Sequence, residues 1–141
     1  MTGRKLGAIV TLAVAGSIAV TAQGRPAPAA AATVSLNKPT TASTDGLWPH
    51  LGDWVTFSAT YPKQAEKYDV SVQVVCYQAG KIVYAESRPW QQQFLLGSFV
   101  SEWQTSGGGA DCVADLYYWT FGGGQKFNWL ATTSFYVSSK Y

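Results

Sequence analysis

Two stretches of alternating sequence decide the fold of this chain: residues 69–78, DVSVQVVCYQ, and residues 110–119, ADCVADLYYW. In each stretch apolar or small side chains recur at every second position, which is the period of a β-strand with one buried face. On that face the first stretch carries Val70, Val72, Val74 and Cys76. On that face the second stretch carries Ala110, Cys112, Ala114, Leu116 and Tyr118. We therefore expect both cysteines to point into an apolar interior, where a disulfide between them would cross or edge the core.

Shorter strand signals precede and follow these two stretches. The further predicted strands are residues 33–36, 54–61, 82–86, 94–96 and 127–137, and residues 87–93 are expected to be irregular. The last strand is predicted to turn six side chains inward, with Trp129 near the disulfide: Phe127, Trp129, Ala131, Thr133, Phe135 and Val137. No stretch has a convincing apolar period of 3.6 residues. The pattern predicts an all-β, Ig-like antiparallel β-sandwich of about seven to eight strands with one intrachain disulfide, Cys76–Cys112.

The N-terminus has the organisation of an export signal. Arg4 and Lys5 precede residues 6–20, LGAIVTLAVAGSIAV, an uncharged run shorter than the roughly 20 residues that span a bilayer. We therefore predict a signal peptide and Pro/Ala-rich leader at residues 1–32, cleaved after Ala22 or after Ala32, and one sandwich domain at residues 33–141. The expected location is secreted or extracellular, without a membrane span in the mature form. Such an oxidising compartment favours the disulfide over two free thiols.

The charge of the predicted domain argues against nucleic acid as a partner. The chain has ten basic and eight acidic residues, but Arg4, Lys5 and Arg25 belong to the leader, so the domain carries 7 − 8 = −1. Its charges are scattered. A phosphate backbone requires a basic stripe, which this sequence lacks.

The sequence offers no arrangement typical of an enzyme, so we predict no catalytic residues, no cofactor and no metal. His50 is the only histidine and is expected to be an exposed loop residue. Both cysteines are expected to be oxidised, so no thiol nucleophile is available to act with it. Asp111 and Asp115 share one strand face about 13 Å apart, too far for a glycosidase pair or one calcium ion, and are expected to be solvated. A loop calcium site at Asp45 or Asp53 stays open.

Aromatic residues are the most informative feature for binding. The chain has six Trp, eight Tyr and six Phe, and Phe57 and Phe135 have inward registers. The candidate binding patch consists of four residues with outward registers: Tyr77, Tyr117, Trp119 and Tyr136. Such a patch would bind a protein or stack on sugar rings; the alternative is that these aromatics only form stabilising cross-strand pairs. Four tryptophans at loops or strand ends would either plug the sandwich or project from it: Trp48, Trp54, Trp90 and Trp103.

Several short motifs carry a resemblance to a known family. They are LGDWVTF at 51–57 with YP at 61–62, VCYQ at 75–78, GGADC at 108–112 and ADLYY at 114–118. These residues resemble small Ig-like proteins encoded by actinobacteria and their tailed phages. The resemblance implies an Ig-like fold and a structural or adhesive role. Because phage particles assemble in the cytoplasm, the export signal favours a secreted bacterial protein.

These observations together predict a secreted, non-enzymatic, Ig-like interaction or adhesion module that binds a protein or a cell-surface polysaccharide. One alternative is a small carbohydrate-binding module that uses the outward Tyr and Trp side chains. Another is an inhibitor of a secreted enzyme that inserts the glycine loop at 107–109 or at 122–124.

Overall fold

A computed structural model describes residues 32–38, 46–97, 102–103 and 108–139. Except for Ala32, the predicted signal peptide and leader lie outside the described residues, as does Asp45. The strands in the described ranges are β1 Thr33–Leu36, β2 Trp54–Val55, β3 Phe57–Thr60, β4 Ser71–Gln78, β5 Lys81–Pro89, β6 Phe94–Leu95, β7 Ala110–Phe121 and β8 Gln125–Val137. A single 3-10 turn, Lys63–Ala65, lies between β3 and β4. No helix within these ranges is long and apolar enough to cross a membrane.

The strands form one large sheet and two small ones that pack over it. The large sheet has the antiparallel order β5-β4-β7-β8, and the small sheets pair β1 with β3 and β2 with β6. Phe57 of β3 lies at the centre, with its ring centroid 5.5 Å from Phe94 of β6 and 6.1 Å from Phe135 of β8. This packing confirms the predicted all-β antiparallel sandwich and the inward registers of Phe57 and Phe135.

Two predicted strand boundaries were wrong. Residues 54–61 do not form one strand, because the chain leaves the β2–β6 sheet and joins β1 after Thr56. The Thr56 carbonyl accepts a 3.0 Å hydrogen bond from the backbone N–H of Asn37. This bond holds Thr56 in place between the two small sheets. Strand β5 continues through residues 87–89, which were expected to be irregular. Pro89 can end it because an edge strand loses no ladder bond there.

The disulfide lies within the large sheet. Cys76 of β4 and Cys112 of β7 are direct cross-strand partners with 4.0 Å between their Cα atoms, and both are almost fully buried. The predicted pairing is therefore confirmed. The bond staples two neighbouring strands on their core face, whereas the disulfide of an antibody domain joins two facing sheets.

A β-bulge in β8 reverses the faces predicted for its first half. Leu116 of β7 pairs with Ala131, but the next residue, Tyr117, pairs with Trp129, so Leu130 is an extra residue. Both Leu130 and Ala131 are buried in the core. An extra residue shifts the alternation by one, so that every earlier side chain of β8 changes face. The predicted inward positions of Phe127 and Trp129 are therefore wrong, while those from Ala131 to Val137 hold.

Candidate functional site

The four predicted patch residues lie on one face of the large sheet, the face opposite the disulfide, which we call the outer face. Tyr77 and Tyr136 both pair with Asp111 and form one row across three strands. Tyr117 and Trp119 lie six and eight residues further along β7, about 20 Å or more away. The structure therefore divides the patch between the two ends of the sheet. Exposure differs as well, since Tyr136 is 58% exposed and Tyr117 only 8%.

Tyr117 and Trp119 are joined on the outer face by two residues that the sequence placed inside. We call this group of Tyr117, Trp119, Phe127 and Trp129 the hairpin cluster. Phe127 is its centre: its ring stacks on Tyr117 at 4.6 Å and 20° and meets Trp119 edge-on at 4.7 Å and 77°. Trp129 contacts Phe127 from another side at 4.4 Å and 66°. Stacked and edge-to-face pairs at these distances are favourable aromatic geometries.

The hairpin cluster lies where the β7–β8 hairpin begins to project beyond the neighbouring strand β4. The first residue of β4, Ser71, pairs with Tyr117, so residues 118–121 of β7 have ladder partners only in β8. Gly123 and Gly124 close the hairpin with φ angles of 77° and 123°, which favour glycine. On the core side of the same strand, Tyr118 stacks on Tyr68 at 4.9 Å and 15°. This contact attaches the projecting hairpin to the segment before β4.

A cleft adjoins the hairpin cluster at this end of the sheet. It has a volume of about 360 Å³, and its lining consists of Lys67, Tyr68, Asp69, Ser71, Trp119 and Phe121. We call it the hairpin cleft. Phe121 is 75% exposed, and the Lys67 Nζ lies 5.2 Å from the ring centre of Tyr68. The cleft therefore combines aromatic rings with a cation, a carboxylate and a hydroxyl.

The opposite end of the outer face carries fewer aromatic residues. Ile82, Tyr77, Asp111 and Tyr136 form its last row across the four strands, and Ile82 is 52% exposed. Tyr136 folds over Gly109, where an added Cβ would lie 2.7 Å from Tyr136 Cζ and 2.9 Å from the Val137 carbonyl oxygen. The Gly109 carbonyl accepts a 2.9 Å hydrogen bond from Gln78 Nε2. Close packing at Gly109 distinguishes this end.

His50 is not the exposed loop residue that the sequence suggested. It is 1% exposed, and its backbone pairs with Ser138 in a parallel bridge beside the end of β8. Its backbone N–H donates a 2.8 Å hydrogen bond to Asp53 Oδ2, and its ring Nδ1 lies 3.6 Å from the same oxygen. The prediction failed because the neighbouring Pro49 and Gly52 indicate a turn but not how deeply the turn is packed.

The two aspartates of β7 differ in environment. Asp111 is exposed, as predicted, but Asp115 is 1% exposed, so the expectation of a solvated side chain was wrong there. Asp115 lies on the outer face of β7, a strand with a neighbour on each side, and its cross-strand partners are Gln73 and Thr132. Within the described ranges no group of three or more His, Cys, Asp or Glu side chains could hold a metal ion.

The tryptophans outside the long strands divide between core and surface. Trp103 is fully buried, with its ring 6.3 Å from Tyr84 and its Nε1 donating a 2.5 Å hydrogen bond to the Gly108 carbonyl. Trp54, by contrast, is 55% exposed on β2. Trp48 and Trp90 are half-buried. Trp103 thus fills the sandwich, and Trp54 projects from it.

Sequence reasoning missed Phe127 and Trp129 as outer-face residues. The three consecutive apolar residues Trp129, Leu130 and Ala131 are the only local irregularity at this point. They do not identify a bulge by themselves, because Phe135, Tyr136 and Val137 form a similar run where the ladder is regular. No signal in the sequence connects Lys67 and Asp69 with Phe121, because segments distant in sequence meet only in the fold.

Comparison with protein-family models, with curated proteins and with solved structures finds no match to this chain. The candidate site is therefore defined by its geometry.

Proposed function

We propose that this protein is a secreted, non-enzymatic interaction or adhesion module, and that the hairpin cluster and hairpin cleft form its binding surface. The observation that carries the proposal is a packed group of four aromatic side chains at the base of a projecting hairpin, beside a cleft lined by both aromatic and polar side chains. Aromatic residues are enriched at binding sites because they supply large contact areas with few rotatable bonds.

The construction of the hairpin supports this proposal. Phe127 contacts each of the other cluster members, and Tyr118 stacks on Tyr68 from the opposite face. The side chains are thereby held in place before any partner arrives. Preorganised side chains lose less conformational entropy on binding, which increases affinity for a given contact area.

The proposed extracellular setting has two supports. One is the export pattern of residues 1–32. The other is the Cys76–Cys112 disulfide, a bond that persists mainly in oxidising compartments. The resemblance to small Ig-like proteins of actinobacteria and their phages is consistent with an adhesive role.

A capture experiment tests the proposal. The oxidised full chain is immobilised and exposed to a cell-surface extract of the producing bacterium, and retained protein and polysaccharide are measured separately. We expect retention to be lost in Trp119→Ala and to persist in the matched control Trp54→Ala, which removes an exposed tryptophan from another sheet. Failure of the parent protein to retain either class of material would contradict the proposal, as would equal retention by both variants.

A further inference from the structure

We propose that the hairpin cleft binds uncharged pyranose units of a polysaccharide chain, with Phe121 and Trp119 against the ring faces and Lys67, Asp69 and Ser71 at the ring edges. This inference rests on the proposed binding function and names its ligand class.

The mixed lining of the cleft is the first argument. Burying aromatic rings favours an apolar surface, whereas a carboxylate, an ammonium and a hydroxyl need hydrogen-bonding partners when water is displaced. A pyranose ring satisfies both requirements, since its faces present C–H groups and its edge presents hydroxyls. An apolar peptide side chain would leave the polar groups of Lys67, Asp69 and Ser71 without new partners.

The charge of the cleft is the second argument. Lys67 and Asp69 contribute one positive and one negative charge to the same lining, and its other residues are uncharged. A phosphate or another anion would meet the Asp69 carboxylate, and a cationic ligand would meet the Lys67 ammonium. The presence of both charges favours a neutral ligand, which can accept hydrogen bonds from Lys67 and donate them to Asp69.

Size and openness supply the third argument. The volume of 360 Å³ falls at the lower end of the range of about 300–1,000 Å³ for small-molecule sites. Lys67, Asp69 and Phe121 are all exposed, so the cleft is open to solvent rather than enclosed. An open cleft can hold one unit of a longer chain, whereas an enclosed pocket would exclude the neighbouring units. The hairpin cluster continues the aromatic surface beyond Trp119 along the same face.

Phe121 provides the cleanest variant for a test. Its side chain is 75% exposed, so its removal takes little packing from the fold, whereas Trp119 also supports Phe127. Asp69→Asn keeps the size of the side chain and removes its charge. Trp54→Ala and Ile82→Ala are matched controls, because each removes an exposed apolar side chain that does not line the cleft.

The experiment measures binding of the oxidised full chain to insoluble cellulose, to chitin and to purified peptidoglycan by depletion from solution. We expect saturable binding to at least one of these polysaccharides. We expect Phe121→Ala to weaken it about tenfold, the loss typical of removing one aromatic anchor, and Asp69→Asn to weaken it severalfold. Both controls should bind like the parent, and circular dichroism should show an unchanged fold in all four variants.

The outcomes separate this inference from the proposed function. If the protein binds none of the three polysaccharides but captures a surface protein through Trp119, the sugar inference is overturned and the interaction function stands. Sugar binding that survives both cleft variants would also overturn it. Concentration-dependent self-association abolished by Phe121→Ala, without sugar binding, would assign the cleft to a second copy of the chain and likewise overturn it. If neither polysaccharide nor surface protein is bound, both proposals fail.

Discussion

Tyr117 lies directly opposite Trp129 across the β7–β8 ladder, with 6.4 Å between their ring centroids, on the face of the sheet that points away from the disulfide. Regular alternation along β8 would have placed Trp129 opposite Tyr118 on the core face, six residues along β7 from Cys112. The bulge at Leu130 turns it outward instead, and Phe127 moves with it. One extra residue in the ladder therefore creates the hairpin cluster on which the proposed binding surface depends.

This register predicts opposite consequences for two neighbouring residues. Leu130→Ala should lower the free energy of unfolding by about 2–4 kcal/mol, because it empties a buried core position. Trp129→Ala should cost less, under about 2 kcal/mol, because the indole is half-buried on the outer face. Urea unfolding followed by circular dichroism measures both values. If Trp129→Ala lowered the free energy of unfolding more than Leu130→Ala does, Trp129 would lie in the core, as regular alternation predicts. The hairpin cluster would then have no structural basis.

The disulfide is expected to contribute substantially to stability. The bond closes a loop with a sequence separation of 36 residues, and the chain-entropy relation gives about 3–4 kcal/mol for such a loop. The Cys76→Ala/Cys112→Ala variant should therefore unfold at a much lower urea concentration than the oxidised protein. The parent protein with and without a reductant provides the matched comparison. An unchanged unfolding midpoint after complete reduction, verified by mass, would contradict this expectation.

Gly109 should not tolerate a side chain. An alanine Cβ there would lie 2.7 Å from Tyr136 Cζ and 2.9 Å from the backbone oxygen of Val137, so Gly109→Ala should cost about 1–3 kcal/mol. The matched control is Gly122→Ala, since a Cβ at Gly122 meets no atom within 4 Å, and its effect should stay within about 0.5 kcal/mol.

A double-mutant cycle identifies the obstacle at Gly109. In a Tyr136→Ala background the cost of Gly109→Ala should fall, because the phenol ring has gone and only the Val137 carbonyl remains close. Thermal unfolding of the four proteins in the cycle gives the coupling energy. Strict additivity would show that Tyr136 does not pack on Gly109 in solution.

Tyr84 should make the stability depend on pH in the alkaline range. Burial, reinforced by the hydrogen bond that its hydroxyl donates to Glu86, raises the pKa of Tyr84 far above its ordinary value near 10. Below about pH 10 the hydroxyl is protonated in the folded and unfolded chains, so its contribution to stability is fully present. Above that pH the unfolded chain loses this proton while the folded chain keeps it, so the contribution is lost as the pH rises.

The comparison of the parent with Tyr84→Phe measures this contribution. Unfolding midpoints between about pH 8 and 11 should fall more steeply in the parent, because only the parent has the buried Tyr84 hydroxyl, which ionises on unfolding. Parallel pH profiles for the two proteins would show that Tyr84 ionises equally in the folded and unfolded states.

Most of the strand framework could be predicted from local sequence. The alternation in residues 69–78 and 110–119 predicted β4 and β7 and the face on which both cysteines lie. Alternation with a period of two residues follows from burial of one face of a strand. It can therefore be recognised without knowing which strands are neighbours. The same alternation placed Trp129 on the wrong face, because a bulge changes the face of all residues before it and depends on the pairing with the neighbouring strand.

Burial at single positions was predicted less well. His50 and Asp115 are polar residues that the sequence placed in solvent, and each is 1% exposed. Whether such a side chain is covered depends on neighbours distant in the chain, such as Ser138 beside His50 and Thr132 beside Asp115. Residue type alone carries no information on those neighbours.

The amino-acid sequence by itself determined the all-strand class, the pairing of Cys76 with Cys112 and the inward faces of β4 and β7. These properties follow from local periodicity and from the presence of only two cysteines. The tertiary structure alone decided that the disulfide joins adjacent strands, that Phe127 and Trp129 face outward, and that Lys67 and Asp69 meet Phe121 in one cleft. The physical reason is that register and side-chain contacts arise between segments far apart in the chain, where local alternation has no influence.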